Sequence, residues 1–234
     1  MSELQSVRFA AGEETIGGEL SATGSRVPVV LIPDVHGISD LYRRLAGRLA
    51  AAGHTTLILD LYTREGTPTL RTPEEVGAWI ANLPDPRVLG DMRAAVQWLR
   101  AECGRTPAVM GFCVGGQYAV MAGCRIAPLA GVISFYGMLR YAERNERKPE
   151  SPLDMAADLR CPLLGLYGAD DPLVPQDDVA ALRACLRDAE ATFETRTWQN
   201  AGHAFLNDQR EEAFRPQAAA EAWQEALAFL ADLD

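Results

Sequence analysis

The sequence predicts an α/β fold: a mostly parallel, doubly wound sheet with helices on both faces. Short β-branched apolar runs alternate along the chain with longer segments of helical period, the rhythm of repeated strand–helix–strand units. Several of the strand runs are continuously apolar, as expected of strands covered on both faces. The same rhythm persists to the C-terminus, with no repeat, no low-complexity tract and no second composition regime. A single domain over residues 1–234 is therefore expected. With 48% hydrophobic and 23% charged residues, the composition is that of an ordinary globular chain. A chain of this length buries roughly 70–75% of its unfolded surface, so its core needs neither disulfides nor a structural metal.

The elements follow in order. A short hairpin is expected over residues 6–20, and Val27-Pro-Val-Val-Leu-Ile32 reads as the first fully buried strand. Leu41, Leu45, Leu49 and Ala52 share one face of a helix over 39–52, which Gly53 ends where a positive φ is needed. Thr55–Leu59 is the next strand and runs into Asp60-Leu-Tyr62. A polar stretch rich in Gly, Pro and Thr covers 63–73, and 62–86 is expected as loop. Val88, Met92, Val96 and Leu99 stripe a helix over 87–102. A strand over 108–110, a helix over 115–125 and a strand over 130–135 come next. Residues 138–150 are charged and aperiodic, an exposed loop or short cap. A strand over 162–167, a helix over 176–188, a strand over 192–198 and a C-terminal helix over 209–231 complete the pattern.

Charge and cysteine usage exclude whole classes of function. The net charge of −10 would repel a phosphate backbone, so no nucleic-acid partner is expected. No apolar run approaches the ~18–20 residues of a membrane span, and no membrane partner is expected. The opening residues lack a basic start and an apolar core, so no leader is expected. Five cysteines without C-x-x-C spacing suit free thiols in the cytoplasm. Three histidines, none spaced as a ligand pair, point away from a metal site.

In a doubly wound sheet ligands bind beyond the carboxyl ends of the strands. Met110-Gly-Phe-Cys113-Val-Gly-Gly116 lies between a strand and a helix. It has the spacing of a G-x-nucleophile-x-G elbow with cysteine in place of serine. So tight a turn strains the nucleophile's backbone, and Gly111 and Gly115 remove Cβ atoms that would clash where the chain folds over itself. The following helix offers free N–H groups and a positive dipole end, both of which favour a thiolate. Cys103, Cys124, Cys161 and Cys185 lack this context and read as packing residues. His203, in Asn200-Ala-Gly-His-Ala-Phe205 just past the last strand, is the candidate base. His54 starts a strand and reads as structural, and His36 follows a strand end, where it would face the cleft. Asp170 and Asp171, in Gly168-Ala-Asp-Asp-Pro-Leu-Val-Pro175, are both candidates for the acid that orients the base. The order nucleophile, acid, histidine is that of the α/β-hydrolase fold.

With D-L-Y at 60–62, G-F-C-V-G-G at 111–116, Y-G-A-D-D-P-L-V-P at 167–175 and A-G-H-A-F at 201–205, the chain resembles the dienelactone hydrolase (carboxymethylenebutenolidase-like) family over nearly its whole length. The resemblance implies an α/β-hydrolase fold, Asp171 as the acid, and an oxyanion hole made by the backbone N–H groups of Val35 and Val114. Dienelactone-cleaving members carry a Glu at the position of Asp34, where it holds the resting thiol neutral. Asp34 is one methylene shorter and is the candidate resting partner of the thiol, with His36 beside it. Those members also carry an Arg four residues after the histidine to clamp a substrate carboxylate. Asn207 stands there instead, so that charge-assisted contact is missing. Arg71 and Arg87 lie in the region that supplies the family's other Arg, and Tyr62 and Arg64 lie near the expected mouth.

The expectation is a cysteine hydrolase of a small carboxylic ester or lactone. It would work through a thioester and need no cofactor or metal, as a monomer or small homo-oligomer. Two alternatives stand beside it. One is a non-catalytic or redox-sensing ligand-binding member with Cys113 as an oxidisable thiol. The other is a hydrolase of other activated esters, phosphoryl esters included.

Overall fold

The structure, a computed structural model, describes residues 4–21 and 23–234. The leader expectation falls in part on residues 1–3, outside the described residues. In chain order the elements are β1 (Gln5–Ala11), β2 (Glu14–Leu20), β3 (Val29–Ile32), α1 (Asp40–Ala51), β4 (Thr56–Leu59), α2 (Pro73–Asn82) and α3 (Asp85–Cys103). There follow β5 (Ala108–Phe112), α4 (Val114–Arg125), β6 (Val132–Phe135), β7 (Leu163–Gly168), α5 (Gln176–Asp188), β8 (Phe193–Trp198) and α6 (Pro216–Asp232). The eight strands form one sheet in the order β1-β2-β4-β3-β5-β6-β7-β8. β3 to β8 run parallel, and the β1–β2 hairpin joins antiparallel at the β4 edge.

The central strands are buried on both faces because helices cover both. Val30, Ile32, Leu57, Leu59, Val109 and Val132 point to the side of α3, α4 and α5. Their neighbours Val29, Leu31, Ile58, Met110, Phe112 and Ile133 point to the side of α1 and α6. The period of two along a strand makes this division, and two helix layers are needed to bury both sets.

Three segments depart from the expected pattern. Within 62–86, expected as loop, α2 forms. Thr72 and Glu75 make a reciprocal capping box, and Pro73 fills the first helical position. Val76, Trp79 and Ile80 lean on the core, but no residue of α2 is fully buried, which is why its apolar period is faint. The last helix begins at Pro216 rather than 209. Residues 207–215 close instead in turns, with Arg210 N–H donating to the Asn207 carbonyl and Ala213 N–H to that of Arg210.

The charged loop 138–150 is not wholly exposed. Lys148, the only lysine in the chain, is 2% exposed. Its Nζ donates to Asp85 Oδ1 at 2.6 Å and to Tyr118 Oη at 2.9 Å. Tyr118 Oη donates to the same oxygen of Asp85 and Tyr141 Oη to the other, each at 2.8 Å. A compact ammonium fits this pocket where a planar guanidinium fork would not. The loop is thereby pinned to the starts of α3 and α4.

Candidate active site

The register of the parallel strands brings the site together. Ile32 pairs with Gly111, so Val35 and Val114 each lie three residues past the same level of neighbouring strands. Phe112 pairs with Phe135, and Cys113 N–H donates to the Phe135 carbonyl at 3.0 Å. Gly168 pairs with Trp198, with Asp171 and His203 just beyond them. A Cβ on Gly168 would lie 2.3 Å from the Ala201 carbonyl oxygen, so the acid and histidine loops pack backbone to backbone.

Cys113 sits at φ 55°, ψ −119° as the residue preceding α4. That conformation is costly for a side chain with a Cβ, and it persists because the surroundings enforce it. A Cβ on Gly111 would lie 1.9 Å from the Gly115 carbonyl oxygen, and one on Gly115 2.3 Å from that of Ile32. Both glycines are required for the chain to fold over itself. Cys113 is buried in the same apolar cluster as Phe112, Phe135, Tyr136 and Phe205.

His203 Nδ1 pairs with Asp171 Oδ2 at 2.8 Å, and the Asp171 carboxylate is wholly buried. The other Asp171 oxygen accepts the Leu173 N–H at 2.8 Å. Asp170 is exposed, and its backbone N–H bonds to the Ala201 carbonyl. Of the two candidate acids, the structure therefore brings Asp171 to the histidine. Nε2 of His203 is buried with no hydrogen bond of its own. Burial alone would push the imidazole down; negative charge on Cys113, together with the hydrogen bond and charge of Asp171, outweighs it, and the pKa rises to about 10. Burial pushes the thiols of Cys124 and Cys161 up to about 12, and that of Cys103 upward. Among the described residues no group of three or more His, Cys, Asp or Glu is arranged to hold a metal.

Val114 is the first helical residue of α4, where a backbone N–H has no partner within the helix. Val35 lies in the turn after β3, and its N–H makes no hydrogen bond among the described residues. Asp34 is engaged by its own turn: its Oδ1 accepts the His36 N–H at 2.9 Å. No hydrogen bond joins Asp34 to Cys113 among the described residues, so the structure does not display the resting pair that the resemblance implied. The carboxylate binds the nearer backbone donor instead. His36 is exposed and meets Asp34 through its backbone.

Among the described residues no hydrogen bond joins the expected mouth residues to the triad. Tyr62 is buried, and its Oη donates to the Val35 carbonyl at 3.0 Å. Arg64 forks onto Asp91 and pairs with Glu14, tying the hairpin to α3. Arg71 is exposed at the start of α2, and Arg87 pairs with Glu65. Asn207 Oδ1 accepts the Gln209 N–H at 3.0 Å and shapes the turn after His203. Tyr62, Arg64, Arg87 and Asn207 thus have partners within the protein that sequence spacing cannot reveal.

Tyr136 is the neighbour that sequence reasoning missed. It follows β6 at φ 40°, and its ring meets His203 edge to face at 5.2 Å. Burial and the charges of Asp34, Cys113 and Asp171 keep its phenol protonated. Its place just past a strand end was the available signal. A hollow of about 1440 Å³ runs elsewhere, along α1 and α6, and no triad residue lines it.

The model of the dienelactone hydrolase family matches residues 19–233. The chain belongs to the dienelactone hydrolase family. It is 34% identical over 211 residues to a Bradyrhizobium protein named "Probable 2-oxo-3-(5-oxofuran-2-ylidene)propanoate lactonase", covering 89% of this chain and 84% of that one. A carboxymethylenebutenolidase of Rhodococcus opacus is 30% identical over 210 residues, covering 89% and 82%. A crystal structure from Klebsiella pneumoniae subsp. pneumoniae, described as "Putative Dienelactone Hydrolase", superposes with a TM-score of 0.88 at 30% identity, covering 98% and 99%. This dienelactone hydrolase family member thus carries the family's α/β-hydrolase fold and is a hydrolase. Among its described residues no helix is long and apolar enough to cross a membrane.

Proposed function

We propose that the protein hydrolyses small carboxylic esters or lactones with Cys113 as nucleophile, His203 as base and acid, and Asp171 as the residue that orients the histidine. The observation that carries this is the buried 2.8 Å contact of His203 Nδ1 with Asp171, which leaves Nε2 free beside the strained cysteine. The Cys113 thiolate attacks the carbonyl carbon, and the electron pair of the C=O bond moves to its oxygen. The N–H groups of Val35 and Val114 receive that oxyanion, an interaction that is usually the largest electrostatic contribution. The oxyanion collapses, the C–O bond to the alcohol breaks, and the His203 imidazolium gives its proton to the leaving alkoxide. A thioester remains. His203 then takes a proton from water, hydroxide adds to the thioester, and the acid leaves as the thiolate returns. In a lactone the leaving alkoxide stays attached to the acyl group, which favours reversal unless water enters promptly. An enol lactone has a better leaving group and suits a cysteine enzyme. The names of the Bradyrhizobium and Rhodococcus relatives favour lactones as the class.

The test is turnover of a panel of p-nitrophenyl esters and of lactones with and without a carboxylate, by wild type, Cys113→Ala and His203→Ala. Each variant should lose about 10³-fold or more in kcat. Unchanged turnover in either one overturns the mechanism.

A further inference from the structure

In the turn after β3 every N–H from Asp34 to Gly37 has a hydrogen-bond partner among the described residues except one. Asp34 N–H donates to Tyr42 Oη at 3.0 Å. Asp34 C=O accepts the Gly37 N–H at 3.0 Å. Val35 C=O accepts from Tyr62 Oη at 3.0 Å, and His36 N–H donates to Asp34 Oδ1 at 2.9 Å. The Val35 N–H is left over. We propose that Tyr42 and Tyr62 are positioning residues for the oxyanion site, holding the peptide groups on either side of the Val35 N–H so that it, alone among the donors of this turn, faces the reacting carbonyl. This rests on the hydrolase mechanism proposed above and deepens it.

The physical reason lies in peptide geometry. In a trans peptide N–H and C=O point in opposite directions. Asp34 C=O turns inward to Gly37, so the Val35 N–H of the same plane turns outward. That plane could still rotate if its neighbours were loose. Tyr42 fixes the plane before it, and Tyr62 together with the Asp34 carboxylate fixes the plane after it. A preorganised donor needs no reorientation as negative charge develops, which is where its advantage over water arises.

The tyrosines are themselves held. Tyr62 N–H donates to Asp60 Oδ1 at 2.9 Å, and its ring meets Trp79 edge to face at 5.7 Å. Gly37, at φ 74°, leaves room for that ring, since a Cβ there would lie 3.3 Å from it. Tyr42 packs on Phe112, the residue before the nucleophile, at 5.5 Å. Burial raises the pKa of both phenols, so Tyr62 keeps the proton it donates. The Asp60-Leu-Tyr62 motif thus acquires a specific task, which is to orient a backbone donor from below.

The test uses Tyr62→Phe, which removes one oxygen and keeps the ring, and Tyr42→Phe beside it. In each, kcat for ester or lactone hydrolysis should fall about 10–100-fold with KM within about twofold, as for a weakened oxyanion donor. Affinity for an aryl trifluoromethyl ketone, whose thiol adduct places an oxyanion in the same site, should fall in parallel. Alkylation of Cys113 by iodoacetamide develops no oxyanion, and its rate should stay within about twofold of wild type. Unchanged kcat in both variants overturns the inference. So does a parallel loss of alkylation and turnover, which would mark general disruption of the site. A wild-type chain without esterase or lactonase activity overturns the hydrolase mechanism and this inference with it. An active wild type with unaffected variants overturns this inference alone.

Discussion

Gly115 stands against Ile32 so closely that a Cβ on it would lie 2.3 Å from the Ile32 carbonyl oxygen. Through this contact the start of α4 rests on the end of β3, and the N–H groups of Val114 and Val35 come to the same corner of the sheet. Gly115→Ala should therefore cost about 1–3 kcal/mol of stability, as overpacking against rigid backbone does, and should lower turnover as well. Gly47→Ala, in α1 with nothing within 4 Å of the added Cβ, should stabilise by about 0.5–1 kcal/mol. Denaturant titration of both variants checks the contrast. A Gly115→Ala chain as stable and active as wild type would refute the account of the elbow.

Asp171→Asn keeps the shape of the acid but loses its charge, and leaves the histidine free to take the wrong tautomer. A fall in kcat of about 10²–10⁴-fold is expected. The fold should survive, because the remaining oxygen can still accept the Leu173 N–H. Circular dichroism beside kinetics separates the two effects, and near-normal turnover by a folded variant would remove Asp171 from the mechanism.

Protonation of His203 sets the alkaline limit. Its pKa is raised from the ordinary value of 6.5 to about 10, so the ring keeps the proton that a leaving alkoxide needs until the pH climbs through about 10. Activity should fall above that point. Negative charge on Cys113 heads the causes that raise the value, so Cys113→Ala should bring the His203 pKa down. NMR titration of the imidazole nitrogens reads this directly. An identical pKa in the two proteins would mean that thiol and ring are not coupled.

The five thiols should differ in reactivity. Burial holds Cys124 and Cys161 up at about 12 and raises Cys103, which keeps them as unreactive thiols at neutral pH. Cys113, at a helix start beside His203, should be carbamidomethylated first. Peptide mapping after a short exposure to iodoacetamide checks this, and equal labelling of all five would count against an activated Cys113.

Asp85→Ala removes the carboxylate from a lysine that is 2% exposed. Burial already lowers the Lys148 pKa, and the Asp85 hydrogen bond and charge oppose that shift. The variant should lose about 3–5 kcal/mol, the cost of stranding one half of a buried ion pair. The double variant Asp85→Ala/Lys148→Met should recover part of the loss. Thermal melts of the three proteins decide whether the pair, rather than the space it fills, holds the 138–150 loop.

The sequence by itself determined the α/β fold and the family. Buried strands and amphipathic helices announce themselves through local periodicity, and the elbow glycines through a short fixed spacing. Cys113 and His203 could be named because chemistry of this kind needs particular residue types at strand ends. The sequence could not choose between Asp170 and Asp171 without the family resemblance, because adjacent residues differ only in the direction they point. Tertiary structure decided that direction, turning Asp171 inward to His203 and Asp170 outward. It also gave Tyr62 and Arg64 partners that only folding brings near. Tyr42 and Tyr136 gained their places in the site in the same way. Periodicity and motifs are properties of neighbouring residues in the chain, whereas which polar group satisfies which depends on the packing of distant segments. The sequence therefore names the candidate reacting groups, and the packed sheet supplies the groups that surround and orient them.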